Sequence, residues 1–314
     1  MRAAQLPLDP LDRAFLERRL ARERQKVEKH LARLFAGRPA SEIERACRYT
    51  VRAGGKRLRP VLMVAASRAL GAKGDAPYDA GLSIELIHSY SLIHDDLPQM
   101  DDDDYRRGKP TCHRVFGPGT ALLAGVALIG LATQNLLRTG RKYRLGEAVS
   151  RSLAKELLEA SGTGGLIGGQ AADILAESKP FDRDVVDYIP AHKTAALFGA
   201  SAAMGAILGR AGREKTDALR RYGTHAGIAF QIVDDILDQT GSFEDLGKRV
   251  RKDAGRGKAT YPALYGIEGA RRKASKHASL AVRSILEAGV DDRFLRHFPY
   301  WILIPVFSPG GSAH

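Results

Sequence analysis

The chain has 314 residues, 44% of them hydrophobic and 27% charged, and Lys and Arg outnumber Asp and Glu by 49 to 36 for a net charge of +13. That balance excludes a disordered chain and supplies ample apolar material for a buried core. The two cysteines, Cys47 and Cys112, lie outside any CxxC or metal-spaced cluster, which argues against a disulfide framework and predicts a reducing compartment.

The N-terminal stretch MRAAQLPLDPLDRAFLERRL lacks the continuous apolar run of a signal peptide. Segment 17–34, ERRLARERQKVEKHLARL, carries Val27, Leu31 and Leu34 at helical spacing beneath a basic face. Leu82, Ile84, Leu86, Ile87, Leu92 and Ile93 predict a heavily buried helix, and Ala-rich helical stretches follow at 119–137, 148–160, 192–209 and 215–240. The most apolar runs, 121–132 and 298–307, read as too short to cross a bilayer. A cytoplasmic protein without stable membrane insertion is expected. Gly, Pro and Asp collect at 36–41, 71–79, 108–111, 161–165, 178–184 and 241–248, marking breaks. Strand signals are scarce, and neither a long linker nor a repeat divides the chain. The expected fold is one all-α domain over residues 1–314, its helical bundle enclosing a central cavity.

Two acidic groups stand out. Residues 95–104, DDLPQMDDDD, hold six aspartates. By itself such a run reads as a solvated loop. Asp95 and Asp101 are six apart, about 120° out of register on an unbroken helix. Pro98 cannot continue the hydrogen-bond ladder, so a bend there lets Asp101 swing back towards Asp95 and Asp96. In FQIVDDILDQTG (230–241), Asp234 and Asp238 are four apart and share a helix face, with Asp235 beside them. A polar helix end is the alternative reading. Oxygen-only ligands at two helix ends suit Mg²⁺, which takes one or two carboxylates and completes its shell with water and phosphate oxygens. An EF-hand does not fit, because the glycine at its sixth position is missing.

Basic residues surround these groups along the chain. AGGKRLRPVL (53–62) offers Lys56, Arg57 and Arg59 beside two glycines, without being a Walker loop. Arg106 and Arg107 follow the first aspartates, and HKTAA (192–196) and GKRVRKDAGRGKATYP (247–262) lie downstream. Taken together they describe a site for two multiply charged phosphate groups.

The ordered segments GGKRLRP, ELIHSYSLIHDDLPQMDDDDYRRGKPT, GGQAAD, HKTAA, FQIVDDILD and GKATYPALYG resemble those of the trans-isoprenyl diphosphate synthases, nearest the bacterial farnesyl diphosphate synthase (geranyltranstransferase) branch. The resemblance covers about residues 20–290. It implies an isoprenoid synthase-type bundle, usually homodimeric, that joins isopentenyl diphosphate head to tail to dimethylallyl or geranyl diphosphate. By motif match, Asp95, Asp96, Asp101, Asp234 and Asp238 hold Mg²⁺, with Asp95, Asp101 and Asp234 as direct ligands; Asp235 belongs to the same catalytic group. The match places Arg106, Lys193, Lys248 and Lys258 on the allylic diphosphate. It places Lys56, Arg59, His88 and Arg107 on isopentenyl diphosphate, although His88 also reads as a core histidine. Thr194 and Gln231 fall near the developing allylic cation, and Gln170 and Asp173 line the cavity. Tyr90 and Ser91, five and four residues before Asp95, are the chain-length positions, and an aromatic at Tyr90 implies a C15 product; Tyr90 otherwise reads as core.

The tail departs from this pattern. In RFLRHFPYWILIPVFSPGGSAH (293–314), Pro299 and Pro305 are expected to interrupt any helix and WILI to leave an apolar patch. A geranylgeranyl or longer-chain synthase, a terpene cyclase and a catalytically silent partner subunit are the neighbouring alternatives. A basic nucleic-acid-binding protein would account for the charge but for neither acidic motif, so no nucleic-acid partner is expected.

Overall fold

The computed structural model describes residues 8–37, 41–177, 179–240 and 258–307. Among these the secondary structure is helical apart from one two-residue hairpin. α1 (Pro10–Leu34) starts at the Asp9 cap, whose carboxylate accepts from the Asp12 amide at 2.8 Å. α2 (Glu42–Val51) starts at Ser41, whose hydroxyl caps Glu44. α3 (Leu58–Ala69) and α4 (Ala76–Asp95) follow. α4 is buried on nearly every side, including Asp79, Ser83, Glu85 and Ser89, which is why its apolar residues show no single stripe.

After Asp95 the chain curls back on itself. The Asp101 amide donates to the Asp95 carbonyl at 2.8 Å, and the Asp102 amide to that of Leu97 at 3.1 Å. The bend at Pro98 therefore brings Asp101 over the end of α4. Strands β1 (Tyr105–Arg106) and β2 (Lys109–Pro110) form the hairpin. Its two turn residues, Arg107 at φ 54° and Gly108 at φ 72°, both adopt left-handed backbone, as a tight hairpin with right-handed strand twist requires.

α5 (Cys112–Phe116) leads into α6 (Pro118–Lys142), which packs on α4, where Gly125 leaves room for His94 and Asn135 donates to the Asp79 carbonyl. α6 spans 25 residues, and its most apolar window has a mean hydropathy of 1.6, so it is long and apolar enough to cross a membrane. The sequence expectation, which measured only 121–132, was too short. Leu122, Leu123, Val126 and Leu137 on its outer side are about half exposed.

α7 (Glu147–Ser161), α8 (Leu166–Ala176) and α9 (Arg183–Lys193) come next. The expected helix at 192–209 is divided. Pro190 lies inside α9, which stops at Lys193, and α10 (Ala195–Leu208) restarts beyond Thr194. α10 is almost wholly buried, and its small residues let neighbours approach closely. A Cβ on Gly205 would stand 2.5 Å from the Met63 carbonyl oxygen of α3. α11 (Arg213–Thr240) and α12 (Tyr261–Glu287, kinked at Gly266) lie along one another.

The tail overturns its expectation. α13 (Arg293–Phe307) is one helix through both prolines, packed against α1, α3, α11 and α12. Ile302, Leu303 and Ile304 are buried and Trp301 is half-buried against the core, so WILI is not an exposed patch. Proline at 299 leaves the Leu295 carbonyl without its helical donor. The buried Tyr222 hydroxyl supplies one instead, at 2.8 Å.

Candidate active site

The C-terminal end of α4, the joint between α9 and α10, the inner faces of α8 and α11, the loop before α3 and the hairpin enclose one cavity of about 470 Å³. On α4 the lining residues are Glu85, His88, Ser91, Leu92 and Asp95, spaced as one face of a 3.6-residue helix. Asp101 joins them from the bend, and Asp234, Asp235 and Asp238 line the same cavity from α11. The two acidic groups, separated by more than a hundred residues in sequence, thus share one chamber.

Fixed cations stand among the carboxylates. Lys258 Nζ lies 3.1 Å from Asp101 Oδ1, and Lys193 Nζ lies 2.6 Å from Asp173 Oδ2. Burial pushes the Asp95 carboxyl up, and Lys193 and Arg106 oppose that shift. Asp96 points elsewhere. Its carboxylate accepts from Arg106 Nε at 2.7 and 2.9 Å and is not part of the cavity lining. Arg106 itself lines the chamber, and its bonds to Asp96 keep the guanidinium charged despite burial.

Further basic residues line the same cavity from the loop before α3 and the hairpin turn. Arg107 reaches the Gly54 carbonyl, and its guanidinium fills the place a Cβ on Gly55 would need, 2.7 Å away. Gly55 also stands at φ 131°, so the glycine is required twice. Arg59 stacks on Phe198 at 4.6 Å, and its buried Nε has no hydrogen-bond partner. Burial pulls Arg59 down to about 10. Lys56 is lowered by burial, with Asp234 opposing. His88 is pushed well below its ordinary value by burial and by the nearby Arg59 and Arg107, and is therefore neutral. Cations gathered on one cavity wall, with the Arg59 Nε unsatisfied, form a receptor for an anion. Arg57 is not part of it. It turns inward to Glu85 at 2.6 Å, Glu28 at 2.8 Å and the Val51 carbonyl at 2.6 Å, holding α1, α3 and α4 together.

At the α9–α10 joint, Thr194 Oγ1 donates to Gln231 Oε1 at 2.6 Å, and Gln231 Nε2 donates to Asp235 Oδ1 at 2.8 Å. This chain fixes the amide so that its oxygen faces Thr194. Gln170 and Asp173 line the cavity from α8. The apolar part is made by Leu92, Leu166, Val186, Ile189 and Phe230.

Ser91 is in the lining; Tyr90 is not. Tyr90 is 5% exposed, lies edge-on to His94 at 5.5 Å, and its hydroxyl has no hydrogen-bond partner. Lys248 falls outside the described residues. Sequence reasoning missed Glu85, whose signal was a lone acid three residues before His88 in an apolar helix, and Tyr261, which stood inside the GKATYP segment.

The donor set fits magnesium shared with a ligand. The lining carboxylates are oxygen donors only, yet among the described residues no three acidic, His or Cys side chains converge to enclose a metal by themselves. An ion held by one or two carboxylates and completed by phosphate oxygens suits that arrangement.

The profile of the family described as Polyprenyl synthetase matches residues 40–288. Farnesyl diphosphate synthase of Geobacillus stearothermophilus is 41% identical over 283 residues, 90% of this chain and 95% of that protein. Geranylgeranyl pyrophosphate synthase 12, chloroplastic, of Arabidopsis thaliana is 44% identical over 247 residues, 78% of this chain and 68% of that protein. The crystal structure of geranyltransferase from Helicobacter pylori, complexed with magnesium and isoprenyl diphosphate, superposes with a TM-score of 0.80 at 30% identity, covering 96% of this chain and 99% of that one.

Proposed function

The chain belongs to the polyprenyl synthetase family and is a trans-prenyltransferase, and from that premise we propose that it joins isopentenyl diphosphate to dimethylallyl and then geranyl diphosphate, releasing diphosphate and farnesyl diphosphate. The observation that carries this reading is the single chamber lined by Asp95, Asp101, Asp234 and Asp238 together with Lys56, Arg59, Arg106, Arg107, Lys193 and Lys258.

Lys193, Lys258 and Arg106 hold the allylic diphosphate, and Lys56, Arg59, Arg107 and neutral His88 hold isopentenyl diphosphate. Asp95, Asp101, Asp234 and Asp238 would hold Mg²⁺, which supplies Lewis-acid stabilisation of the charge on the leaving diphosphate. As the C1–O bond breaks, the ammonium and guanidinium groups stabilise the departing anion. The linked Thr194 and Gln231 side chains are the polar groups near the allylic cation. The C3=C4 electron pair of isopentenyl diphosphate forms the new bond to C1, and the departing diphosphate takes the proton then lost. The apolar walls exclude water, which would otherwise capture the cation as an alcohol.

A C20 product is the second reading. Tyr90 lies outside the cavity lining, and relatives of comparable identity carry both the farnesyl and the geranylgeranyl name. Purified protein incubated with Mg²⁺ and both diphosphates, with products dephosphorylated and sized, tests the proposal. A C15 alcohol is expected. C20 as the major product selects the second reading, and unconsumed isopentenyl diphosphate defeats both.

The half-exposed Leu122, Leu123, Val126 and Leu137 face of α6 supports a homodimer that covers this apolar surface. Sedimentation of the purified chain at the monomer mass would remove that part of the proposal.

A further inference from the structure

Lys258 is the first described residue before α12 and reaches the cavity from a short segment, Lys258–Ala259–Thr260, that ends at the helix cap. The Thr260 cap, whose hydroxyl accepts from the Ala263 amide at 3.4 Å, joins that segment to α12, and a second bond ties the start of α12 to another helix. The Tyr261 hydroxyl, at the first position of the helix, donates to Asp187 Oδ1 on α9 at 2.7 Å. Tyr261 is 2% exposed and lines the cavity, whereas the Asp187 side chain is 41% exposed and also meets Arg183 at 3.2 Å. α9 is the helix that ends in Lys193. The bond therefore ties together the two chain segments that carry Lys193 and Lys258. Burial, followed by the bond to Asp187, keeps the Tyr261 hydroxyl protonated well above its ordinary range, so the donor persists at any assay pH.

We infer that Tyr261 and Asp187 are a positioning pair that presets Lys258 beside Asp101, so that the allylic diphosphate meets an ammonium group already in place. Tyr261 acts through Lys258 and takes no part in bond making. The inference rests on the allylic-diphosphate role proposed above for Lys258. The physical reason is that a lysine has four rotatable bonds and restricts itself poorly. Anchoring its backbone three residues away removes part of the freedom that substrate binding would otherwise have to freeze out.

The experiment is a double-mutant cycle read as separate KM values for geranyl and isopentenyl diphosphate. Tyr261→Phe is expected to raise the geranyl diphosphate KM about five- to tenfold and to leave that for isopentenyl diphosphate within about twofold. Asp187→Ala, a change at a partly exposed side chain, is expected to do the same, and it carries the test if the tyrosine variant folds poorly. In a Lys258→Ala background, neither change should raise the geranyl diphosphate KM further. An equal multiplicative effect with and without Lys258 would overturn the pairing, as would unchanged KM values in both single variants. If Lys258→Ala alone leaves the geranyl diphosphate KM unchanged, the assignment of Lys258 fails, and the pairing fails with it.

Discussion

The Tyr222 hydroxyl donates to the Leu295 carbonyl, the acceptor that Pro299 strands four residues later in α13. Both partners are buried, so losing the hydroxyl leaves an unsatisfied carbonyl. Tyr222→Phe is expected to lower stability by roughly 1–3 kcal/mol. Pro299→Ala in the same chain should recover part of that loss, because an amide at 299 can close the helical bond. Urea unfolding of the single and double variants measures both terms, and strictly additive losses would show that the two residues are not coupled through this carbonyl.

Gly55 exists for Arg107. Gly55→Ala places a methyl group against the guanidinium and strains a backbone at φ 131°. The isopentenyl diphosphate KM is expected to rise about tenfold, roughly 1.4 kcal/mol, with the allylic KM much less affected. Steady-state kinetics with each substrate varied separately decides this, and an equal rise in both values would point to general disruption instead.

Asp95 and Asp96 are neighbours with different partners. Asp95 lines the chamber, while Asp96 receives the Arg106 guanidinium. Asp95→Asn should shift the Mg²⁺ midpoint of activity strongly and cost about a thousandfold in kcat, of the order seen when a stabilising group is removed from a transition state. Asp96→Asn should act mainly through a looser Arg106, with a smaller loss and little change in the Mg²⁺ midpoint. Magnesium titrations of the two variants separate these outcomes; identical shifts would make Asp96 a ligand like Asp95.

Tyr90 stands beside His94 and outside the lining, whereas its neighbour Ser91 is part of it. Tyr90→Ala removes the ring and is expected to lengthen the product beyond C15. Chromatography of the dephosphorylated products checks it. An unchanged distribution would remove Tyr90 from chain-length control.

His225 and His277 face each other across α11 and α12, Nδ1 to Nδ1, at 3.1 Å. Burial, then His225, with Lys276 and Lys273 adding and Asp187 opposing, holds His277 down to about 4. The unfolded chain binds that proton near pH 6.5, more tightly than the folded one. The stabilising contribution is therefore intact above about pH 6.5 and lost as pH falls towards 4. His277→Leu should remove roughly 2 kcal/mol of the stability difference between pH 7 and pH 4.5. Urea midpoints at the two pH values measure it, and an unaltered pH dependence would refute the assignment.

Much of the fold and the site was legible in the chain. Helical spacing marked the helices, Pro98 announced the bend that returns Asp101 to Asp95, and the spacing of Asp234 and Asp238 put them on one face of α11. These are properties of short segments, fixed by the 3.6-residue period and by the missing amide of proline. The same local rule misread the tail. Pro299 is compatible with a continuous helix because Tyr222, 73 residues before Leu295, satisfies the carbonyl it frees. Likewise, spacing cannot distinguish Asp95 from Asp96, or Arg57 from Arg59. Which aspartate faces the chamber depends on where the hairpin delivers Arg106, and which arginine keeps its guanidinium open to a ligand depends on Glu85 and Glu28 engaging that of Arg57. Sequence determined which groups could do the chemistry; tertiary packing decided which of them are turned towards it, because a buried charge goes to whichever partner the fold brings within reach.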